Sequence, residues 1–493
     1  MNNEDLVEIS EEGKDTSVVA NDNSENDASE IEKKSKETTI FDKLGNVSDK
    51  TISIIAMIAI GLMIVEPIGM SIYDICKKSV DLTLVVTWNV IRVWIFPTVS
   101  VAAFILYFLV FLRIRKENNG LLNVIKKNPL FIIFSLVVLL MTISQIYNGM
   151  ESEVAGVPDY VRGESFDMQY SYFIFILFAA TQVRLESHKL WLMRLHMLSS
   201  IIVVVAAFIL WNTQVNYLMF YDWEPLFTSI YSNLNYYGYY LAVAVPIAGA
   251  MFIHEKKIGW KCFAIIAFIA NTVALSINNS TGAWFGAAFG VLFISVAHLI
   301  IEKKINWQSM VIIFVFVIAL YVPGHILGTF EENLSTLGGD ITKVITQSED
   351  VNQAGSLRIK LWKAGLDVVN DNKLFGIGFE GVLVRQYVGA PYMTRPHNEF
   401  LQYAMFYGIP MAVMYIVGCF GVFLRGLRKR KIMTGATLVS LSGTFGYLVS
   451  SFFGLTVFST AMYLFVFMGM GYVREDESQK NIESISTEKA SVN

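Results

Sequence analysis

The chain has 493 residues, 54% of them hydrophobic and only 16% charged, with a mean hydropathy of +0.49 and a formal net charge of −4. That balance excludes an ordinary soluble globular protein and fits an all-α polytopic membrane protein. A lipid bilayer is the expected surrounding, and no nucleic acid is expected as a partner.

The first 50 residues carry 14 acidic and 6 basic side chains and one aromatic residue, Phe41. Such a segment cannot bury enough apolar surface to offset its chain entropy, so 1–50 reads as a disordered acidic terminus. It does not read as a secretory signal, because the first apolar run begins only near Thr51. The end of the chain, 474–493, is a similar polar tail.

Between these ends lies a membrane core, 51–473. A helix needs about 20 apolar residues to cross the hydrocarbon. Twelve stretches qualify, roughly at 51–73, 90–112, 130–147, 170–185, 189–210, 232–253, 261–278, 282–301, 309–329, 398–424, 433–450 and 455–473. The short basic segments 113–127, 254–261, 302–304 and 425–431 fall in phase on one side of twelve spans, together with both termini. Lys/Arg-rich loops stay in the cytoplasm, so that side is the expected cytoplasmic one. Cys76, Cys262 and Cys419 lack the spacing of metal ligands, and each reads as a small buried hydrophobe. No metal and no cofactor are expected. The tyrosines at 231, 236, 237, 239 and 240 read as an interfacial belt, with stacking on sugars as the alternative.

The stretch 330–396 then faces outward and is by far the largest loop. "SLRIKLWKAGLDVVND" places Leu357, Leu361, Trp362, Gly365, Leu366 and Val369 on one helical face. The glycines of "LFGIGFEG" follow and allow turns. A folded cap on the outer membrane surface is expected. Arg358, Lys360, Lys363, Arg385 and Arg395 make this segment basic.

The segment ends in "RPHNEFLQYAMFYG". His397 stands at the start of a predicted helix, with Asn398 or His397 itself in the capping position. The positive end of a helix disfavours imidazolium and favours bound anions, so a histidine there is neutral and able to accept a proton. The bland alternative is that Asn398 caps the helix, Pro396 ends the loop and His397 has no chemical part. Glu66, at the end of the first span, is either functional or a solvated helix end.

Four stretches resemble one family. "HNEFLQYAMFYG" fits a His-Asn pair, nine residues and a glycine. "SLRIKLWKAGLDVVNDNKLFGIGFEGV" fits an Arg…Trp…Ala segment with a Gly-x-Gly turn. "YSNLNYYGYYLAVAVPIA" and "LSINNSTGAWFGAAFG" are similar to an Asn-x-x-Gly-x-Tyr-Leu span entry and a Ser-Arg-Gly-Ala segment. The family is that of O-antigen ligases and O-antigen polymerases, membrane glycosyltransferases that use polyprenyl-diphosphate-linked glycans. The resemblance implies a helical bundle with a large outward lid, as in the C-type glycosyltransferases, and metal-independent glycan transfer from an undecaprenyl-diphosphate donor to an acceptor glycan. It implies His397 as the base and Arg358 on the donor diphosphate, with Arg395 and Arg385 beside it. Asn398, Asn235 and Tyr236 would support the glycan. A flippase and a chain-length regulator are the protein partners it implies. Two positions depart from the pattern. Thr281 stands where the family has the arginine of Ser-Arg-Gly-Ala, so Arg358, Arg385 or Arg395 would supply that charge. Met411 stands where Gly, Thr or Tyr is usual.

A transporter or lipid-linked-glycan flippase is the main rival, since twelve spans suit one. Such proteins often show two related halves, and no internal repeat is visible here. A peptidoglycan-type polymerase of the shape-and-division family would act through a loop carboxylate, for which Asp340, Glu349, Asp350 and Asp367 are available. The Lys/Asn/Ile-rich ends point to an AT-rich, Gram-positive source, which has no lipid A acceptor. That favours polymerising the repeats of a capsule, an exopolysaccharide or a teichuronic-acid-like polymer.

Overall fold

The computed structural model describes residues 49–77, 98–108, 111, 120–149, 166–183, 185–213, 226–231, 233–304, 306–346, 352, 354–355, 357–379 and 395–474. Nearly all of the acidic terminus, the tail beyond Arg474 and Arg385 lie outside the described residues. The described residues contain no strand. In chain order the helices are α1 (Asp49–Lys77), α2 (Thr98–Phe108), α3 (Leu121–Lys127), α4 (Pro129–Tyr147), α5 (Phe166–Gln182), α6 (Glu186–Asn212), α7 (Leu234–His254) and α8 (Ile258–Asn278). They continue with α9 (Thr281–Glu302), α10 (Trp307–Leu327), α11 (Thr329–Thr346), α12 (Arg358–Asp371), α13 (Glu399–Tyr407), α14 (Ile409–Arg428), α15 (Gly435–Ser451) and α16 (Phe458–Met470).

Eight of them, α1, α4, α6 to α10 and α14, are long and apolar enough to cross a membrane. The other four expected spans coincide with the shorter helices α2, α5, α15 and α16. The expected single span at 398–424 is two helices, α13 and α14, broken at Gly408. The break has a local cause. Gly408 sits at φ 87°, and a Cβ there would lie 2.2 Å from the Leu374 carbonyl oxygen. The 373–378 segment threads across this gap. Ile377 and Gly378 donate their N–H groups to the Met405 and Phe406 carbonyls at 2.9 Å each, and Ile409 donates to the Lys373 carbonyl at 2.8 Å. Carbonyls that a helix end leaves open are thereby satisfied by the loop.

The centre of the bundle is α7, packed against α8, α9 and α15. Small residues let these backbones approach, as van der Waals packing between helices in lipid requires. Gly282, Gly286 and Gly290 recur every fourth residue along α9. A Cβ on Gly286 would meet the Gly446 carbonyl at 2.5 Å, and one on Gly446 would meet the Ala242 carbonyl at 2.3 Å.

The helices alternate in direction. Ser53, near the start of α1, bonds His188 at the start of α6, and Arg474 donates to the Thr181 carbonyl at the end of α5. Both described ends of the chain therefore share one end of the bundle. The same end holds the ion pair of Arg194 and Glu255 (2.7 Å, both buried) and Arg425, which bonds carbonyls before α4 and after α16. The opposite end, where α10 leads into α11, is called the loop end below. Cys76 and Cys262 are exposed on helices that span, and only Cys419 is buried, which corrects two of three assignments. An apolar thiol is as well placed against lipid tails as in a protein core.

Candidate active site

The segment after α10 is tied down at its start. Thr329 donates to the Ser276 carbonyl at 2.9 Å, Asn279 donates to the Glu332 carboxylate at 3.0 Å, and Asn333 bonds both Asn279 and Thr281. The first turn of α11 is thus fixed to the junction of α8 and α9.

Helix α12 buries Leu361, Gly365, Val368 and Val369 and packs on α13. Leu366, which the sequence places on this face, is 58% exposed. At about 100° per residue it lies some 140° from Leu361, whereas Val368 lies within about 20° of it. Gly365 is the contact point, since a Cβ there would come within 2.9 Å of the Leu401 side chain. Trp362 packs edge-on against Phe452, with ring centroids 5.4 Å apart.

Arg358 begins α12. Its Nε donates to the Phe453 carbonyl at 3.2 Å and its Nη1 to the Gly355 carbonyl at 3.0 Å. The turn after α15 that carries Phe453 is a meeting point. Tyr239 of α7 donates to the same carbonyl at 3.5 Å. Gly282, in the segment where the family arginine is absent, lies against the Phe453 side chain, with a Cβ position 3.0 Å away. Ser280, beside it, donates to Asn235 at 3.2 Å. Asn235 and Tyr236 are half-buried in the first turn of α7, whose cap is Asn233. Arg358, Asn235 and the Ser280–Gly282 segment are therefore one neighbourhood.

His397 precedes α13 and is half-buried. Its φ of 51° lies in the left-handed region, which a histidine adopts more readily than most residues. Asn398, not His397, is the cap: its Oδ1 accepts from the Leu401 N–H at 3.0 Å. Helices α7, α9 and α13 all begin at the loop end, so their positive poles face that end. Arg395 is buried in a different cluster, its guanidinium 5.5 Å from the ring centre of Phe379 and 5.7 Å from that of Phe406.

Two buried polar residues on α13 escaped the sequence reading. Glu399 is fully buried, and its carboxyl accepts from the Tyr415 hydroxyl at 2.6 Å and the Tyr447 hydroxyl at 3.2 Å. The nine-residue α13 is not among the spanning helices, and burial pushes the Glu399 carboxyl up to about 7 against the pull of its hydrogen bonds. Gln402, one turn on, is also fully buried, and neither amide atom finds a hydrogen-bond partner among the described residues. The available signal was an acidic residue directly after the His-Asn pair and inside an apolar run. The tyrosine belt is likewise corrected. Tyr231, Tyr237, Tyr239 and Tyr240 are buried, and the rings of Tyr240, Tyr463 and His196 pack together within the bundle. Among the described residues no three His, Cys, Asp or Glu side chains gather as metal ligands would.

Residues 263–416 match the family model described as O-antigen ligase. The chain carries an O-antigen ligase domain. No curated protein matches the chain. The domain takes in Arg358, Arg395, His397 and Asn398, and it ends in the first turns of α14. Asn235 and Tyr236 precede it, on the helix against which α9 packs. The protein is a membrane-embedded helical bundle with a glycan-transfer role of the O-antigen ligase type.

Proposed function

We propose that the protein transfers a glycan from an undecaprenyl-diphosphate-linked donor to a sugar hydroxyl at the outer face of the bacterial cytoplasmic membrane, polymerising the repeat units of a cell-envelope polysaccharide. The observation that carries this reading is the meeting at Phe453. Arg358 binds its carbonyl, and a Cβ on Gly282, one residue after the position of the missing family arginine, would lie 3.0 Å from the Phe453 Cβ. That shared partner supports Arg358 as the residue that replaces the lost charge.

In the proposed reaction the acceptor oxygen attacks the anomeric carbon of the donor sugar. His397 takes the hydroxyl proton on its imidazole ring. The bond from the anomeric carbon to the diphosphate oxygen breaks, and the lipid diphosphate leaves with that electron pair. Guanidinium groups and helix N-termini stabilise the departing anion, so the charge compensation comes from the protein and no metal ion is required. A preorganised donor of this kind contributes about 3–4 kcal/mol, and a general base about 10²–10⁴-fold. Arg358 is the principal diphosphate ligand and Arg385 adds charge, while Arg395, buried over the Phe379 and Phe406 rings, contributes only at longer range. Asn398 fixes the start of α13 and with it the histidine, while Asn235 and Tyr236 contact the glycan. The diphosphate is installed before the donor reaches this face, so no sugar nucleotide is used.

The test is complementation of a deletion strain with His397→Gln and His397→Ala, followed by analysis of lipid-linked intermediates. Both variants should reach the membrane in normal amount, form no polymer and accumulate single repeat units on the lipid carrier. Normal polymer length and rate in His397→Gln, which keeps hydrogen bonding but not basicity, would refute the base assignment.

A further inference from the structure

Helix α11 leaves most of its length uncovered by the protein. Only Asn333, in its first turns, is buried. Leu334, Ile341, Val344 and Ile345 are 60%, 50%, 46% and 74% exposed. With Phe330 and Leu337 they fall within about 100° of the helix circumference, at about 100° per residue. The opposite side carries Glu331, Glu332, Ser335, Thr336, Thr342, Lys343 and Thr346. A helix of 18 residues standing alone in water is marginal, and exposed Leu, Ile and Val offer it nothing there.

The start of the stripe shows which way it faces. Phe330 packs edge-on against Tyr321 of α10 at 5.1 Å between centroids and stacks on Trp284 of α9 at 5.8 Å. A Cβ on Gly324 would lie 3.1 Å from that of Phe330. Phe330 therefore reaches back past the last turn of α10 toward the spans. Its stripe-mates at 334, 337, 341, 344 and 345 continue on the same side. One residue, Gly328, separates α11 from a helix that crosses the membrane.

We infer that α11 lies in the membrane interface, its Leu334–Ile345 stripe sunk among the acyl chains beside α10 and its polar face in water. The occupant of the stripe is the bilayer itself. Continuity with a span and the direction set by Phe330 place the stripe against lipid, as an interfacial amphipathic helix requires. Outside the stripe the helix carries three acidic groups, Glu331 and Glu332 on the polar face and Asp340 on its flank, against one Lys343. Attraction to anionic headgroups therefore contributes nothing, and apolar burial alone holds the helix down. In that position α11 fixes the start of the segment that follows α10 at the level of the lipid headgroups.

The experiment uses the full chain with the exposed Cys76 and Cys262 replaced by alanine and the buried Cys419 kept. Single cysteines at Leu334, Ile341 and Ile345, or at Ser335, Thr342 and Thr346, are spin-labelled after reconstitution in phosphatidylcholine vesicles. Collision with oxygen is compared with collision with a water-soluble nickel chelate. The stripe sites should favour oxygen severalfold over the polar-face sites, in neutral lipid and without added anionic lipid. Equal nickel access on both faces would overturn the inference. So would a stripe closed to both reagents, because a second copy or another protein would then cover it.

Discussion

Replacing Glu399 by glutamine should remove a pH dependence from the stability of the protein. The carboxyl is fully buried between Tyr415 and Tyr447 and pushed up to about 7 from its ordinary 4.5. In the folded chain it keeps a proton that the unfolded chain has already released. Its stabilising share is therefore whole below pH 4.5 and is lost as pH rises through 7. Each pH unit in that window is worth about 1.4 kcal/mol, so about 3 kcal/mol disappears by pH 8. For a chain of this size that is a fall of a few degrees, about 1–2 °C per kcal/mol. Glu399→Gln stays neutral at every pH and still offers one acceptor and one donor to the two hydroxyls. Its thermal midpoint in detergent should match the wild type near pH 5 and exceed it at pH 8. Glu399→Ala should instead lose stability at all pH values, because each buried tyrosine hydroxyl left without its acceptor costs about 1–3 kcal/mol. Parallel curves of midpoint against pH for the wild type and Glu399→Gln would show that Glu399 is not the titrating group.

Arg358→Lys keeps the charge but loses the planar fork, and should cut polymer formation nearly as far as Arg358→Ala; wild-type turnover in the alanine variant at normal protein level would remove Arg358 from the mechanism. Glu255→Gln leaves the buried Arg194 guanidinium without its carboxylate and should cost about 3–5 kcal/mol in unfolding, while the double change Arg194→Met with Glu255→Met should recover most of it. Gly446→Leu drives a side chain into the Ala242 carbonyl of α7, so the variant should lose about 1–3 kcal/mol or more and give low yields of folded protein by size-exclusion profile. Cysteines at Ser335 and Ser478 should separate the two sides of the membrane: an impermeant reagent in intact cells should label Ser335→Cys and leave Ser478→Cys unlabelled, and the reverse would invert the proposed topology.

Much of the fold around the candidate site was readable from local pattern. Apolar runs of about 20 residues marked where the spanning helices lie, because lipid forces the backbone into helix wherever the chain crosses it. The His-Asn pair before an apolar run marked the start of α13, because a cap acts within three residues of itself, and Asn398 is that cap. The long polar-rich stretch between α10 and α13 stood out for the same reason, as the place where hydropathy fails. The four stretches that resemble the family lie in or next to the O-antigen ligase domain.

What the local pattern missed depends on partners far away in sequence. Glu399 looks like a solvated first-turn acid until α14 and α15 bring Tyr415 and Tyr447 to it. The tyrosines of 231–240 satisfy a belt and a buried cluster equally well by composition, and only the packing of α6, α7 and α16 decided for the cluster. The break at Gly408 required the Leu374 carbonyl to press against it from another segment. Arg358 and the start of α9 are over seventy residues apart, and the turn bearing Phe453 is what joins them. Hydropathy and helical period are properties of a window of residues, so the sequence determined the class, the spans and the caps. Burial, hydrogen-bond partners and charge environment belong to pairs of segments, and those only the packed bundle could decide.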